Sequence, residues 1–546
     1  MDIALNARPG STVRPDGDAR PVPGWHGGLI GLLAGAAGLA AGELLAGLHH
    51  DYVSPVISVG NKAIDLVPVP VKDFAIETFG RNDKTALLAG IYTAISLFAI
   101  AVGVVARRHR WAGRIGLVAF GVVGAAAAVR GRTGSFGDAV PSIVAMIVAI
   151  VVLEGLLNAD RRFARRAAGA TGSTTDPIGA PAADPGPAPA MARRRFLAVA
   201  GTSAGLVALT AVVGRRLQSA TSAVADRARR LIRPAVPLAA APAAVRATAL
   251  DSVTPFFTPN RSFYRIDTAL VVPRIDASKW SLDVKGMVGR PITYTYEDLL
   301  NRNLVERDIT LTCVSNEVGG QLMGTARWVG VPLLELLDEA GAKSTATQVV
   351  GRSVDGWTSG FPTAAVRDGR DAMVALAMNG EPLPFSHGYP ARLIVPGLYG
   401  YVSATKWLSS IELTTLDGFD AYWVPRGYAK EAPIKLASRI DVPRGLATVA
   451  PGPTPIAGVA WAQRRGISKV EIQIDGKDWV ETELADELSI DTWRQWHFTW
   501  DATPGRHEIA VRAIDRNGVL QTERRVAPLP NGATGWHSII VLVSAS

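Results

Sequence analysis

The sequence predicts an α+β protein in three parts: an N-terminal region of five membrane-length helices, a mixed α+β domain, and a C-terminal immunoglobulin-like β-sandwich. Three observations carry this. Apolar segments flanked by arginines dominate the chain as far as Arg215. From about Thr248 the pattern changes to short β-prone runs, helices and Gly/Pro turns. After Lys430 the helical signals stop, and short strands follow at even spacing.

Residues 1–27 read as a cytoplasmic tail. Residues 28–158 hold four apolar segments, Leu29–Leu48, Thr85–Ala106, Trp111–Val129 and Ala139–Leu157, each close to the roughly 20 residues that cross a hydrocarbon layer. A polar linker, 159–192, separates them from 193–215, where Phe196–Val213 is the fifth segment. The Pro-, Gly- and Ala-rich stretch Ala167–Ala190 reads as disordered. Arg107, Arg108, Arg110 and Arg114 follow the second segment; Arg161, Arg162, Arg165, Arg166 and Arg193–Arg195 follow the fourth. The positive-inside bias puts both loops in the cytoplasm and everything after Val213 outside. Gly31, Gly35, Gly38 and Gly42 have the spacing of close helix contact. Glu43 and Glu154 read either as parts of a proton path or as satisfied carboxylates. "ARRRFLAVAG", Ala192–Gly201, resembles a twin-arginine export signal, a route that carries folded, cofactor-loaded proteins.

The soluble part is a linker, 216–247, a mixed domain, 248–430, and the sandwich, 431–546. "YTYEDLL", "RDITLTCV", "GVPLLELLDEAG" and "QVVGRSVDGW" alternate helix and strand signals. "SKVEIQIDG" alternates Val470, Ile472 and Ile474 with polar residues, and turns are expected at Pro504-Gly505 and Asn517-Gly518.

The net charge of +9 first suggests a polyanion partner, but the arginine runs sit beside apolar segments and no nucleic-acid recognition motif accompanies them. The chain has one cysteine, Cys313. That excludes an internal disulfide, a CxxC pair, a CxxCH haem site and a cysteine-ligated iron–sulfur cluster. No apolar segment carries a histidine pair spaced to sandwich a haem. A lone soft thiolate suits a polarizable metal that needs one protein ligand.

Five stretches in order, "FYRIDTALVVP", "TLTCVSN", "GTARWVGVPL", "MNGEPLPFSHGYPARLIVPGLYGYVSATKWL" and the "APIK" that opens the β-domain, resemble the sulfite oxidase family of molybdopterin-dependent oxidoreductases. The resemblance runs from about Pro255 to the C-terminus and identifies the chain as a membrane-anchored bacterial member. It implies a molybdenum–molybdopterin cofactor bound through Cys313, the metal ligand. It implies cofactor contacts from Asn260, Tyr264, Arg265, Asp267 and Thr268, from Asp355, from His387 and Arg392, and from Ser403, Thr405 and Lys406. Tyr428 would hydrogen-bond the reacting oxygen. Arg464 or Arg465 would grip a substrate anion, with Arg327 bordering the pocket. Glu317 and Val318 stand where animal and plant members carry arginines.

The function this implies is oxygen-atom transfer at the plasma membrane of a bacterium, with the catalytic domain extracytoplasmic. Sulfite oxidation to sulfate comes first and sulfoxide reduction second. Electrons would pass to a separate cytochrome or quinone-linked carrier, since no haem or cluster is expected in this chain. The β-domain mediates homodimers in soluble members, a need that membrane-lipid anchoring could replace. A receptor or scaffold built on the same sandwich would need none of Cys313, Arg392, Lys406 and Tyr428.

A reporter fused after Val213 should read as extracytoplasmic, and one within Ala167–Ala190 as cytoplasmic. Changing Arg193 and Arg194 together to lysine should block export of the soluble part while the first four helices still insert; unaltered export would leave a plain basic flank.

Overall fold

The computed structural model describes residues 25–48, 52–68, 71, 74, 78, 83–132, 134–170, 232–247 and 252–545. They fall into two compact units. The expected fifth segment, Phe196–Val213, and the arginine motif before it lie outside the described residues.

The helical unit contains α1 (Trp25–Leu48), most of a short α2 (Pro55–Leu66), α3 (Asp83–Arg108), α4 (Arg110–Val129) and α5 (Val140–Ala170). Four of these are long and apolar enough to cross a membrane; α2, with 12 residues, is not. It escaped the sequence reading because its apolar run is short. The fourth segment was expected to end at Leu157, but α5 continues to Ala170. Alanine and arginine are strong helix formers, so the polar sequence does not stop it.

Glycine sets the spacing of the helices. A Cβ on Gly31 would lie 2.7 Å from Gly103 Cα on α3, and one on Gly42 would lie 2.9 Å from Pro141 O on α5. Only residues without side chains permit such backbone approach. Charges collect at one end. Arg107 pairs with Asp160 at 3.1 Å, Arg114 with Glu154 at 2.7 Å, and Arg110 with Glu154 at 3.2 Å. These contacts bring the end of α3 and the start of α4 against residues 154–160 of α5. Both acidic residues of the sequence reading are therefore hydrogen-bonded: Glu154 by two arginines, and Glu43 by the Ser54 hydroxyl at 2.5 Å.

The soluble unit holds ten strands in the mixed domain: β1 (Ser281–Gly286), β2 (Ile292–Thr295), β3 (Val305–Thr312), β4 (Met323–Pro332), β5 (Gln348–Ser353), β6 (Thr358–Pro362), β7 (Met373–Met378), β8 (Glu381–Pro382), β9 (Arg392–Ile394) and β10 (Leu408–Thr414). One sheet has the order β2-β1-β10-β5-β6, the other β3-β4-β7-β8 with β9 also on β7. Only β1 and β10 run parallel. Helix α6 (Tyr296–Leu300) starts at a capping box, Thr295 and Asp298 each accepting the other's backbone N–H. Helix α7 (Leu333–Glu339) packs Leu333, Leu336 and Leu337 into the core.

Nine strands form the C-terminal sandwich: β11 (Ala437–Val442), β12 (Thr448–Val449), β13 (Gly452–Trp461), β14 (Ile467–Ile474), β15 (Val480–Glu481), β16 (Glu483–Leu484), β17 (Arg494–Ala502), β18 (Gly505–Asp515) and β19 (His537–Val543). They stack as β11-β13-β17-β16 against β12-β19-β18-β14-β15. Val470 and Ile472 of β14 point into a core with Trp496, Trp500 and Val511, as the alternation required. Asp475 and Gly476 both have positive φ, which is why the chain can reverse after β14.

Two boundaries move. Tyr428, Ala432 and Ile434 belong to the core of the mixed domain, so the sandwich begins at Ala437. Residues 232–247, expected to be linker, lie along β3 instead. Ala235 N–H donates to Leu304 O at 2.8 Å, Leu238 N–H to Glu306 at 2.7 Å, and Val245 is buried. Pro234, Pro237 and Pro242 suppress any strand periodicity there while leaving carbonyls and the remaining N–H groups free to pair.

Gly103→Val should push a branched side chain into the α1 backbone. We expect less full-length protein in the membrane fraction and a lower melting temperature in detergent, with Gly90→Val, at an open position, as the unaffected control.

Candidate active site

Cys313 directly follows β3. The β3–β4 ladder continues one residue past the strand, Cys313 N–H donating to Leu322 O at 2.9 Å. The chain then turns: Asn316 N–H donates to Cys313 O at 3.1 Å, and Asn316 Oδ1 accepts from Leu322 N–H at 2.7 Å. Burial pushes the thiol pKa up; donors from Ser315 and the charge of Lys406 oppose it. A thiol so placed holds its proton until a metal displaces it.

Four segments converge near this sulfur. In the first, Asn260 is braced by Asn379, whose amide donates to Asn260 Oδ1 at 2.9 Å, and Asn260 donates to Met378 O at 3.2 Å. Phe263 stacks on Tyr264 at 5.3 Å. The Tyr264 hydroxyl is pushed far above the usual phenol range by burial and by Cys313, with Arg392 pulling the other way. In the second, buried His387 donates from Nε2 to Asn260 O at 2.9 Å. A carbonyl can only accept, so the neutral ring carries its proton on Nε2. Its pKa is lowered to about 4 by burial and then by Arg392, with Lys406 and Arg265 adding to the effect.

Arg392, at the start of β9, is 5% exposed. Its Nη1 donates to His387 O at 3.1 Å and its guanidinium lies 5.3 Å from the centre of the Trp328 ring. Nε has no partner, and no carboxylate among the described residues pairs with it. Burial lowers its pKa to about 10. In the fourth segment Lys406 Nζ meets Asp267 at 2.5 Å and Ser386 O at 3.4 Å, and Asp267 is shared with Arg265 at 2.9 Å. Arg265 and Lys406 thus share Asp267, while Arg392 beside them has no carboxylate partner among the described residues. The fixed field is positive and suits an anion.

The remaining cofactor-side residues shape the walls. Ser403 donates to Tyr399 O at 3.0 Å, and Thr405 bonds Ser359 at 2.7 Å. Asp355 caps the β5–β6 turn through Trp357 N–H at 3.2 Å, and the neighbouring Val354 N–H donates to Trp407 O at 2.8 Å. Thr268 adjoins Asp267 and is half-buried. Tyr428 is buried, with its ring 5.4 Å from Tyr401 and 5.3 Å from Trp423. Burial, and after it Tyr428, pushes the Tyr401 hydroxyl above the usual phenol range, and burial, with Cys313 adding to it, raises Tyr399 to about 12.

The substrate-side arginines differ from expectation. Arg327 makes a two-pronged contact with Asp308, both bonds 2.8 Å, because the two stand opposite in the β3–β4 register. Arg465 pairs with Asp515 at 2.8 Å and Arg464 with Asp491 at 3.6 Å. All three already have a carboxylate. Glu317 is exposed. Sequence reasoning missed Asn379, although the Asn-Gly turn signal at 379–380 marks it, and Asn379 does adopt positive φ. It also missed Ser315 and Tyr399, which lie within the quoted stretches but whose residue types do not by themselves signal metal or anion handling.

Among the described residues no group of three or more His, Cys, Asp or Glu side chains could hold a metal. A metal here would take one protein ligand and draw its other donors from a cofactor. The family described as an oxidoreductase molybdopterin binding domain matches residues 269–423, and a bacterial Ig domain matches residues 438–511. The mitochondrial sulfite oxidase of Homo sapiens is 28% identical over 342 residues, covering 53% of this chain and 62% of that protein. The oxidoreductase YuiH of Bacillus subtilis is 33% identical over 153 residues, covering 28% of this chain and 74% of YuiH. The chain belongs to the sulfite oxidase family of molybdopterin-dependent oxidoreductases. NADH nitrate reductase 1 of Oryza sativa is also similar, 32% identical over 31% of this chain and 21% of that protein. The chain spans less than two thirds of the sulfite oxidase it matches.

The residues fit the family's cofactor. The unpartnered Nε of buried Arg392 lacks an anionic acceptor, and the donors around it are those a phosphate and a pterin ring require.

His387 gives this site a pH signature. Its folded pKa is about 4 against an ordinary 6.5, so the unfolded chain binds more protons in that window. Stability is full above pH 6.5 and falls towards pH 4, by about 3 kcal/mol if the whole shift is realised. His537, also lowered to about 4, adds a slope of the same sign. In cofactor-free protein, His387→Gln should therefore flatten the fall in melting temperature between pH 7 and 4.5 without abolishing it.

Proposed function

We propose that this oxidoreductase is membrane-anchored and transfers an oxygen atom to sulfite, giving sulfate, with the electrons leaving to a separate carrier. Sulfite and water give sulfate, two protons and two electrons; the bound molybdenum cofactor supplies the oxygen-transfer and electron-storage chemistry. The observation that carries the proposal is a lone buried thiol beside three cations and one carboxylate. Similarity to sulfite oxidases over 53% of the chain supports the choice of substrate.

In this reading Cys313 is the protein ligand to the metal, and Ser315 and Lys406 favour its thiolate. Arg265, Arg392 and Lys406 hold the anionic end of the cofactor. Asn260, Tyr264 and His387 meet its ring system, with Asp267 setting the angle between Arg265 and Lys406. Thr268, Asp355, Ser403 and Thr405 close the walls. The Tyr428 hydroxyl hydrogen-bonds the reacting oxygen and moves a proton. Four membrane-length helices with ion-paired arginines at one end support anchoring in a bacterial plasma membrane; placing the catalytic domain outside needs the further crossing read from the sequence at Phe196–Val213. One cysteine cannot hold an iron–sulfur cluster, which supports a separate electron carrier. Dimerisation through the sandwich follows the resemblance alone.

A second reading, reduction of a sulfoxide such as methionine sulfoxide, is favoured by one observation. Arg327, Arg464 and Arg465 are all paired with carboxylates, and a neutral substrate needs no free arginine.

Protein made with the cofactor pathway should carry about one molybdenum per chain, and Cys313→Ser should abolish turnover, because an alkoxide is a harder ligand than a thiolate. Turnover with sulfite and an artificial acceptor, set beside methionine sulfoxide and an artificial donor, decides the direction. Sulfite turnover, with Tyr428→Phe lowering kcat roughly a hundredfold or more, supports the first reading. Sulfoxide turnover alone establishes the second.

A further inference from the structure

The eleven-residue path from Thr310 to Gly320 carries Cys313, and the C-terminal domain holds it at both ends. Strand β3 is the edge of its sheet, so its outward backbone groups have no partner strand. At Thr310 the second domain supplies the partners. Thr310 N–H donates to Asp491 O at 2.9 Å, Thr310 O accepts from Gln463 at 3.3 Å, and Thr310 Oγ1 accepts from Trp493 N–H at 2.8 Å. Beyond the cysteine, Arg439 Nη1 donates to Gly320 O at 2.7 Å. Arg439 is itself fixed by Asp441 at 2.6 Å and by Thr254 at 2.8 Å, and its side chain is 5% exposed. The His537 ring lies against Gly319, where any Cβ would meet it, and its Nδ1 accepts from Ile440 N–H at 3.0 Å. Gly319 has φ +80°, a conformation that glycine adopts without strain.

We infer that the immunoglobulin-like domain is a clamp on the cysteine loop, and that Arg439 and His537 are positioning residues for the thiolate. This rests on the reading of Cys313 as the metal ligand. Between the two grips the loop is short and held chiefly by its own turn. Gly320 N–H donates to Glu317 O at 2.9 Å, Asn316 accepts from Leu322 N–H, and Asn316 N–H donates to Cys313 O at 3.1 Å, so a shift at Gly320 reaches the cysteine itself. A metal with one protein ligand has no second side chain to correct a misplaced sulfur. Arginine suits the outer grip because its fork reaches three acceptors at once, which a lysine point charge cannot.

The test uses the full-length chain, in which Cys313 is the only thiol. In cofactor-free protein, alkylation by iodoacetamide reports how often the loop opens. Arg439→Gln should raise the rate roughly tenfold or more, as expected for losing charge-assisted bonds that hold the closed form. Arg439→Lys should fall between, and His537→Gln should raise the rate less. Val511→Ala, in the sandwich core but away from the loop, should lower the melting temperature without changing the rate. In molybdenum-loaded Arg439→Gln, the sulfur-to-metal charge-transfer band and the Mo(V) resonance should shift at unchanged metal content. Wild-type labelling rates in both Arg439→Gln and His537→Gln overturn the clamp, as does an equal rise in Val511→Ala. If Cys313→Ser keeps both the metal and the wild-type charge-transfer band, the ligand reading fails instead, and the labelling result still shows whether the domain holds the loop.

Discussion

Arg392 carries a guanidinium into the interior with one backbone acceptor and an aromatic face for company. Removing such an ion from water costs several kcal/mol unless an opposite charge accompanies it. Its place is set by sheet register, β9 meeting β7 with Arg392 opposite Ala375, so it cannot swing out without breaking strand pairs. Nearby, Lys406 and Arg265 have already used Asp267. The interior is left with positive charge that only an anion can settle. That charge adds to burial in lowering the His387 pKa and, through Lys406, opposes the upward push of burial on the Cys313 thiol. Folding and anion binding are linked here by mass action: whatever anion binds the folded form stabilises it.

Much of this was legible in the sequence because it rests on residue type. One cysteine in the chain, the arginine–histidine spacing of "HGYPAR" and the lysine of "YVSATKW" need no coordinates to suggest anion and metal handling. Four membrane-length helices and the alternation of the β14 strand were equally plain, since periodicity records burial. Pairings between distant residues were not legible. Arg327 meets Asp308 across a ladder, and Arg465, in the turn between β13 and β14, meets Asp515 at a separation of 50 residues. A sequence shows the charge but not the partner, so paired and free arginines read alike. The 232–247 stretch was opaque for a different reason, as prolines erase the periodicity that marks a packed segment.

The same pairings bear on the substrate. An arginine already bound in two prongs to a buried carboxylate has little left for an incoming anion, and releasing it would leave that carboxylate unpaired in the interior. Asp308 and Asp515 are both buried, so the cost would be real. Among the described residues the buried cation with no carboxylate partner is instead Arg392. Electrostatics therefore separates two roles that the sequence ran together. Arg392 keeps a guanidinium without a carboxylate, whereas Arg327, Arg464 and Arg465 are each held by one.

This division gives the sandwich a part in the chemistry without a residue that touches substrate. Arg465, Asp515 and Arg464 hold its own loops, while Gln463, Asp491 and Trp493 close the open edge of β3 and Arg439 closes the far end of the loop. The hydrophobic core is continuous across the same boundary, since Val459, Trp461 and Trp493 pack with the residues of the mixed domain. An exposed edge strand invites pairing with other chains, and covering it is one way a fold protects itself. Here the cover also holds both ends of the loop that carries Cys313, the thiol proposed as the metal ligand. Protecting the edge and positioning the thiol are met by the same few hydrogen bonds, so disturbing one disturbs the other.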